Sequence, residues 1–154
     1  MLTASILERV NSRTTTHTSH SVRDTEAIAS DLARSLKGGE CLALRGEMGA
    51  GKTQFVRGLV AGLGGDPHTV SSPTFVLLNV YDTGRLKVFH LDAYRVHGPE
   101  DFDAIGFTEL LDQNGVVVIE WPTRVEGLLP PSRINVHLTT LSPKVREIRI
   151  EHPS

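Results

Sequence analysis

The sequence has 154 residues, of which 39% are apolar, and its 16 Lys and Arg against 18 Asp and Glu give a net charge of −2. This length and apolar content predict one domain with its own core, and the charge balance excludes a general electrostatic attraction to nucleic acid or anionic lipid. No apolar run reaches the ~18 to 20 residues that cross a bilayer, and the single cysteine, Cys41, excludes an internal disulfide. We therefore expect a soluble cytoplasmic protein with no membrane partner.

The chain is predicted to consist of a loose N-terminal extension, residues 1–12, and a single domain, residues 13–154. Residues 13–20 are rich in Thr, Ser and His, and we assign no helix or strand to them. Ser21-x-x-Asp24 is typical of a helix N-cap, and the residues after it recur at helical spacing. These apolar residues are Ile28, Ala29, Leu32, Ala33 and Leu36. The pattern predicts a helix that the two glycines at 38 and 39 end.

The next segment reads as a strand, a glycine-rich loop and a helix. Residues 41–44 form a continuous apolar run, which predicts a strand buried on both faces, as in a parallel sheet. The loop over residues 46–53 follows directly. An apolar helical face comes after it, made of Phe55, Val56, Leu59, Val60 and Leu63. The helix is predicted to end at the two glycines at 64 and 65.

The remaining chain adds further strands and short helices. The predicted elements are an antiparallel hairpin (75–81 and 86–91, turn 82–85), one or two short helices (100–111, around Gly106), a central strand (116–119) and a second hairpin (134–138 and 148–150). Together these elements predict an α/β protein with a P-loop NTPase-like three-layer fold. Its central sheet is expected to be mixed, parallel around the loop and antiparallel elsewhere.

The loop carries the strongest chemical signal. Its sequence, Gly-Glu-Met-Gly-Ala-Gly-Lys-Thr, matches Gly-x-x-x-x-Gly-Lys-Ser/Thr in the required setting between a buried strand and an amphipathic helix. Glycines let consecutive backbone N–H groups turn toward phosphate oxygens, and the start of the helix adds partial positive charge. We predict that Lys52 reaches the β- and γ-phosphates of ATP and that the Thr53 hydroxyl binds Mg²⁺.

Two acidic residues end predicted strands. Glu120 follows the apolar strand 116–119, and we assign it to the magnesium shell; a salt-bridged glutamate at a strand end is the alternative. Asp92 follows the strand 86–91 and could position magnesium or act on the attacking water; the alternative is an aspartate that caps a loop.

Two further features have more than one interpretation. Residues 71–74, Ser-Ser-Pro-Thr, lie where P-loop proteins often place a segment that responds to the γ-phosphate, but an ordinary strand entry fits equally well. Trp121, the only tryptophan, could contact a partner, cap the edge of the site, or pack in the core.

Four segments resemble one known family when they are taken in order. Gly-Glu-Met-Gly-Ala-Gly-Lys-Thr, Ser-Pro-Thr-Phe, His-Leu-Asp-Ala-Tyr-Arg and Ile-Glu-Trp-Pro occur in the order seen in the TsaE family, over about residues 13–150. The resemblance implies an ATPase that works with TsaB- and TsaD-type proteins in tRNA threonylcarbamoyladenosine (t6A) biosynthesis. Its ATP hydrolysis would allow turnover of the complex, and tRNA would be reached indirectly through that complex.

The resemblance also implies roles for individual residues. Those expected around the phosphates are Gly49, Ala50, Gly51, Lys52, Thr53 and Gln54. Thr53 and Glu120 would serve magnesium, and Asp92 would join Lys52 and Glu120 as the catalytic set. The sequence departs from the family pattern at Met48, where leucine is usual, and at Gln54, where a second Thr or Ser is common. Thr25 matches a family threonine near the base.

The same sequence features bear on rival functions. A small-molecule kinase needs lid arginines, and Arg124 and Arg133 are the best candidates, but they lie apart in a proline-rich stretch. A GTPase needs an Asn-Lys-x-Asp tetrapeptide, which the sequence lacks. A nucleotide-gated binding module with negligible hydrolysis merges with the main hypothesis, because no arginine finger is evident in the chain.

Overall fold

A computed structural model describes residues 13–153 of the chain. The extension predicted for residues 1–12 lies outside the described residues. The strands are β1 (Arg13–Ser19), β2 (Cys41–Arg45), β3 (Leu78–Tyr81), β4 (Val88–Asp92), β5 (Val116–Glu120), β6 (Ile134–Ser142) and β7 (Val145–His152). The α-helices are α1 (Val22–Ala33), α2 (Lys52–Gly62), α3 (Pro99–Ala104) and α4 (Phe107–Leu111), and 3₁₀ turns cover Pro67–Thr69 and Pro122–Leu128.

The seven strands form one mixed sheet in the order β1-β7-β6-β2-β5-β4-β3. Strand β2 pairs in parallel with β5 and β6, and β5 pairs in parallel with β4. The two outer hairpins, β3–β4 and β6–β7, are antiparallel, and β1 adds to β7 in the same sense. The predicted α/β class with a partly parallel sheet is confirmed, and the carboxyl ends of β2, β4 and β5 meet at one edge.

Each face of the sheet is covered by a separate apolar cluster. Helices α1 and α2 cover one face, where Leu42 and Leu44 of β2 point. Helices α3 and α4 and the second 3₁₀ turn cover the other face, where Cys41 and Ala43 point. Burial raises the pKa of the Cys41 thiol to about 12, because a thiolate is poorly solvated in an apolar core. The predicted buried cysteine is therefore a packing residue.

Helix α1 begins as its sequence predicts and lies against α2. The Ser21 side chain accepts a hydrogen bond from Asp24 N at 3.0 Å, which satisfies one free N–H of the first turn. Gly58 and Gly62 of α2 let the two backbones touch, since a Cβ at Gly58 would lie 2.3 Å from Glu26 O. A side chain at either position would push the helices apart.

Several boundaries differ from the sequence predictions. Residues 13–19, which were assigned no element, form β1, because β7 offers a free edge for their backbone groups. The first hairpin strand begins at Leu78 instead of residue 75, because residues 74–76 form a turn that Leu77 leaves with φ 69°. Helix α1 ends at Ala33, five residues before the predicted glycine stop.

The helices in the described part of the chain include none with the length and apolar character needed to cross a membrane.

Candidate functional site

The loop between β2 and α2 has the backbone conformation that an anion-binding turn needs. Gly49 and Gly51 lie at φ 81° and φ 102°, in the left-handed region that only glycine enters at little cost. Gly46 is required for space, because a Cβ there would lie 2.7 Å from Leu138 O of β6. The loop can therefore turn its N–H groups inward at the start of α2.

Lys52 is held inside this loop and is only 5% exposed. Its Nζ donates to the Gly46 carbonyl and to Glu47 O, the latter at 3.1 Å. The same Nζ lies 3.8 Å from the ring centroid of Trp121, a cation–π contact. Burial lowers the pKa of Lys52, whereas the negative charges of Glu120, Asp92 and Glu47 raise it. Its amine is thus withdrawn from bulk water in an acidic setting.

Asp92 and Glu120 end two neighbouring parallel strands. They are register partners on β4 and β5, and they are 1% and 3% exposed. Asp92 accepts hydrogen bonds from Thr74 Oγ1 at 2.9 Å and from Tyr94 N at 2.7 Å. Glu120 Oε2 lies 2.6 Å from His90 Nε2. Both carboxylates are therefore oriented by specific partners. The bond from Tyr94 N to Asp92 is also the kind that a loop-capping aspartate makes, so that alternative interpretation stays open.

A cavity of about 370 Å³ joins these groups, and we call it the phosphate-end cavity. Its lining residues are Met48, Gly49, Gly51, Lys52, Thr53, Gln54, Ser72, Thr74, Phe75, Asp92, Tyr94, Arg95, Glu120 and Trp121. Residues 13–153 contain no cluster of three or more His, Cys, Asp or Glu suited to a metal ion. One or two carboxylates are enough for Mg²⁺ when substrate phosphates complete its shell, so Thr53 and Glu120 fit such an ion.

Residues 71–74 border this cavity and are not a strand entry, because β3 begins only at Leu78. Ser72 and Thr74 direct their hydroxyls at Asp92 Oδ2, at 3.4 and 2.9 Å. The segment thus contacts a predicted catalytic carboxylate. Its proposed response to the γ-phosphate stays a prediction.

Trp121 stands at the edge of the phosphate-end cavity and is not fully buried. It has φ 55°, an uncommon conformation for a large residue. Its ring lies over Lys52, and the Tyr94 ring centroid is 5.0 Å away. Of the three interpretations, the cap over the edge of the site describes this position, and a partner contact stays open.

A second cavity, of about 610 Å³, lies on the other side of the loop, and we call it the corner cavity. Its lining residues are His20, Ser21, Val22, Thr25, Gly49, Ala50, Gly51, Gln54, Pro143, Lys144 and Arg146. Arg146 Nη2 donates to Gly49 O at 3.1 Å, which joins the start of β7 to the loop. All six residues predicted around the phosphates line one cavity or both.

The structure also assigns positions that sequence reasoning left open or missed. Arg124 and Arg133, the candidate kinase lid, line neither cavity, and Arg133 bonds to Glu126 at 3.2 Å. Arg95 does line the phosphate-end cavity, with its guanidinium 4.5 Å from the Phe75 ring centroid. The partner of Glu120, His90, was missed. The sequence signal that could have identified His90 is its position as a polar residue within the otherwise apolar run Val88–Leu91.

Comparison with known proteins gives a consistent result. The family model described as "Threonylcarbamoyl adenosine biosynthesis protein TsaE" matches residues 19–148. The protein named tRNA threonylcarbamoyladenosine biosynthesis protein TsaE from Treponema pallidum is 42% identical over 132 residues, covering 86% of this chain and 96% of that protein. Its Bacillus subtilis namesake is 36% identical over 125 residues, covering 81% and 77%. The crystal structure of B. subtilis YdiB superposes with a TM-score of 0.76 at 28% identity, covering 93% of this chain and 88% of YdiB.

Proposed function

We propose that this chain, which belongs to the TsaE family of tRNA threonylcarbamoyladenosine biosynthesis, is a cytoplasmic Mg²⁺-dependent ATPase whose hydrolysis allows turnover of a complex with TsaB- and TsaD-type proteins. The observation that carries the proposal is the phosphate-end cavity. There a glycine loop, a buried lysine and two buried carboxylates from adjacent strands face one space. Buried charges are costly to maintain, so their convergence favours a site that stabilises charge during a reaction.

The loop and Lys52 would bind the triphosphate. Backbone N–H groups of residues 49–54 would donate to phosphate oxygens at the start of α2. The Lys52 amine would exchange its bonds to Gly46 O and Glu47 O for bonds to the β- and γ-phosphates. Trp121 would keep water away from that amine, because its ring already covers it.

Thr53 and Glu120 would hold magnesium, which when bound neutralises the charge of the β- and γ-phosphate oxygens. The Asp92 carboxylate would orient the attacking water and accept its proton. Tyr94 N donates to its Oδ1 and Thr74 Oγ1 to its Oδ2, and a carboxylate oxygen can accept a further hydrogen bond from water. Lys52, Asp92 and Glu120 would thus form the catalytic set.

The corner cavity would take the adenosine part of ATP. It shares Gly49, Gly51 and Gln54 with the phosphate-end cavity, so one elongated molecule can occupy both. Thr25 is 3% exposed and lines the corner cavity, where the family resemblance places a threonine near the base. A cavity of this size is typical of a small-ligand site.

Steady-state phosphate release tests the proposal, with and without TsaB- and TsaD-type proteins and tRNA. We expect slow Mg²⁺-dependent release by the chain alone. An arginine finger supplied by a partner is worth ~10³ to 10⁵ in turnover in other P-loop enzymes, so we expect stimulation of at least about ten-fold in the full assembly. Rates that the assembly leaves unchanged would contradict the partnership, and absent heat on calorimetric titration with Mg·ATP would contradict nucleotide binding itself.

A further inference from the structure

His90 is a fully buried polar side chain on a strand whose five residues are all buried. A buried imidazole needs partners for both ring nitrogens. Its Nε2 lies 2.6 Å from Glu120 Oε2, and its Nδ1 lies 3.0 Å from the Tyr81 hydroxyl. The described residues offer neither nitrogen another hydrogen-bond partner.

One direction of donation gives every group in this network a partner with a neutral imidazole and a charged Glu120. Ser71 N donates to the Tyr81 oxygen at 3.3 Å, the Tyr81 hydroxyl donates to His90 Nδ1, and His90 Nε2–H donates to Glu120. The Tyr81 hydroxyl can also donate to Ser71 O at 3.0 Å, which would require His90 Nδ1 to be the donor to Tyr81. Donation to His90 instead leaves no acceptor without a partner, since Asn79 Nδ2 donates to Ser71 O at 3.1 Å. In this arrangement the imidazole is neutral and Glu120 keeps its negative charge, as a ligand of a divalent cation must.

The same stretch of chain reaches the second carboxylate. Ser71 supplies the start of the network that ends on Glu120, and three residues later Thr74 Oγ1 donates to Asp92 at 2.9 Å. The backbones of the two acidic residues are also joined, because Ala93 N, next to Asp92, donates to the backbone carbonyl of Glu120 at 3.0 Å. Residues 71–74 are therefore linked to both carboxylates. Thr74 bonds to Asp92 directly, and Ser71 is linked to Glu120 through the side chains of Tyr81 and His90.

We propose that His90 is a positioning residue for Glu120, fixed in its Nε2–H tautomer by Tyr81, and that the two residues couple the Glu120 carboxylate to residues 71–74. This proposal rests on the proposed function of Glu120. Its physical basis is that a carboxylate has several rotamers, whereas a single donor 2.6 Å away selects one of them. Outer partners of metal-binding side chains commonly change activity by 10- to 100-fold when they are removed.

The first test separates turnover from binding. His90→Ala should lower ATP turnover by about 10- to 100-fold and leave the affinity for ATP without Mg²⁺ within about three-fold of the original protein. His90→Gln, which keeps an N–H donor at the ε position, should recover most of the turnover. His68→Ala is the matched control, because the His68 side chain is 93% exposed, bonds to Asp66 and lines neither cavity. Turnover that His90→Ala leaves unchanged would overturn the proposal.

The second test needs no nucleotide. Nitrogen-15 NMR of histidine in the protein alone reports which ring nitrogen carries the proton, and we expect His90 as the Nε2–H tautomer. Tyr81→Phe removes one hydroxyl and keeps the ring, so it should fold even if His90→Ala does not. It should release Nδ1 from its hydrogen bond and shift its resonance. An Nδ1–H tautomer in the original protein, or an Nδ1 resonance unaffected by Tyr81→Phe, would overturn the proposal.

The two proposals can fail separately. An original protein that binds ATP but releases no phosphate would remove the proposed ATPase function, while the NMR result would still decide the tautomer. An active original protein with an active His90→Ala variant would remove only the positioning role.

Discussion

The phosphate-end cavity and the corner cavity share loop glycines but are built differently. The phosphate-end cavity, about 370 Å³, lies at the carboxyl ends of the parallel strands and contains three buried charged residues, Lys52, Asp92 and Glu120. The corner cavity, about 610 Å³, lies between the start of α1 and the β6–β7 turn. Of its Lys and Arg side chains, Lys144 is exposed and Arg146 is half-buried. The larger cavity therefore has the weaker electrostatics. The buried charges, and not the cavity volume, indicate where a reaction would be stabilised.

This comparison predicts that substitutions have larger effects at the phosphate end than at the corner. Substituting a buried charged group removes hydrogen bonds worth ~1.5 to 3 kcal/mol each. The hydrogen bonds of a solvent-accessible group contribute less, because water competes for them. The expected effects fall in the order Lys52→Ala, the two carboxylate substitutions at Glu120 and Asp92, Arg146→Ala and Glu126→Gln, and a different order would contradict the comparison.

Lys52→Ala should have the largest effect on binding. It removes a buried amine that would make two charge-assisted bonds to phosphate, and the loss of ~1.5 to 3 kcal/mol per bond corresponds to about 100-fold or more in affinity. Calorimetry with Mg·ATP measures this change. Lys87→Ala is the control, because Lys87 is exposed and lines neither cavity. An affinity within three-fold of the original would contradict the assignment of the phosphate end.

Glu120→Gln and Asp92→Asn should spare binding and reduce turnover. Each change keeps the size of the side chain but removes its charge, so we expect turnover to fall by ~10²-fold or more and nucleotide affinity to change by less than about five-fold. Phosphate-release assays and nucleotide titrations measure the two quantities. Glu109→Gln and Asp103→Asn are matched controls on exposed positions of α4 and α3. Equal losses of binding and turnover would show that the carboxylates act in the ground state.

Arg146→Ala should weaken ATP binding by about three- to ten-fold. It removes one hydrogen bond to Gly49 O, worth ~0.5 to 1.5 kcal/mol, and loosens the turn that borders the corner cavity. Inorganic triphosphate, which lacks a base, should lose less affinity than ATP. Arg149→Ala on the same strand is the control, since the Arg149 side chain is 44% exposed and pairs with Glu151. Equal losses for both ligands would move the base out of the corner cavity.

Glu126→Gln should have the smallest effect, on stability alone. Glu126 lies outside both cavities and accepts two hydrogen bonds from Arg45, at 2.6 and 2.9 Å, which lower its pKa. The unfolded chain therefore binds a proton at higher pH, so this stabilisation is complete above the ordinary glutamate pKa and disappears as the pH falls through the lowered value. Because the side chain is 39% exposed, the loss at pH 7 should stay below ~1 kcal/mol.

Urea unfolding measures this difference at pH 7 and again between pH 5 and 3. The two proteins should converge as the solution becomes more acidic, and ATP turnover at pH 7 should not change. A difference that grows toward pH 3 would contradict the sign of the pKa shift.

Much of the fold and the phosphate end follows from local sequence signals. The loop motif, the apolar run before it and the apolar face of α2 each predict their own structure, and these elements bring Lys52 and Thr53 to one place. Asp92 and Glu120 could be placed at the same edge because both end buried strands. Their predicted roles in hydrolysis and magnesium binding await the assays above.

The elements that were missed depend on distant partners. Strand β1 has no apolar alternation, and its structure comes from pairing with β7, more than 120 residues later. Residues 75–77 look like a strand by composition, but Phe75 is 83% exposed, and β4 ends at Asp92, whose N–H bonds to Leu77 O, so no strand lies opposite residues 75 and 76. The network from Ser71 to Glu120 joins residues from four segments, and no spacing rule within one segment predicts it.

The contact between α1 and α2 at Gly58 and Gly62 has a consequence for ligand length. Helix α1 starts beside the corner cavity, and α2 starts at Lys52, so the span from one cavity to the other depends on how far apart the two helices lie. That separation is limited by main-chain atoms, which have no rotamers to adjust. The helix contact therefore fixes the length of a ligand that can fill both cavities at once.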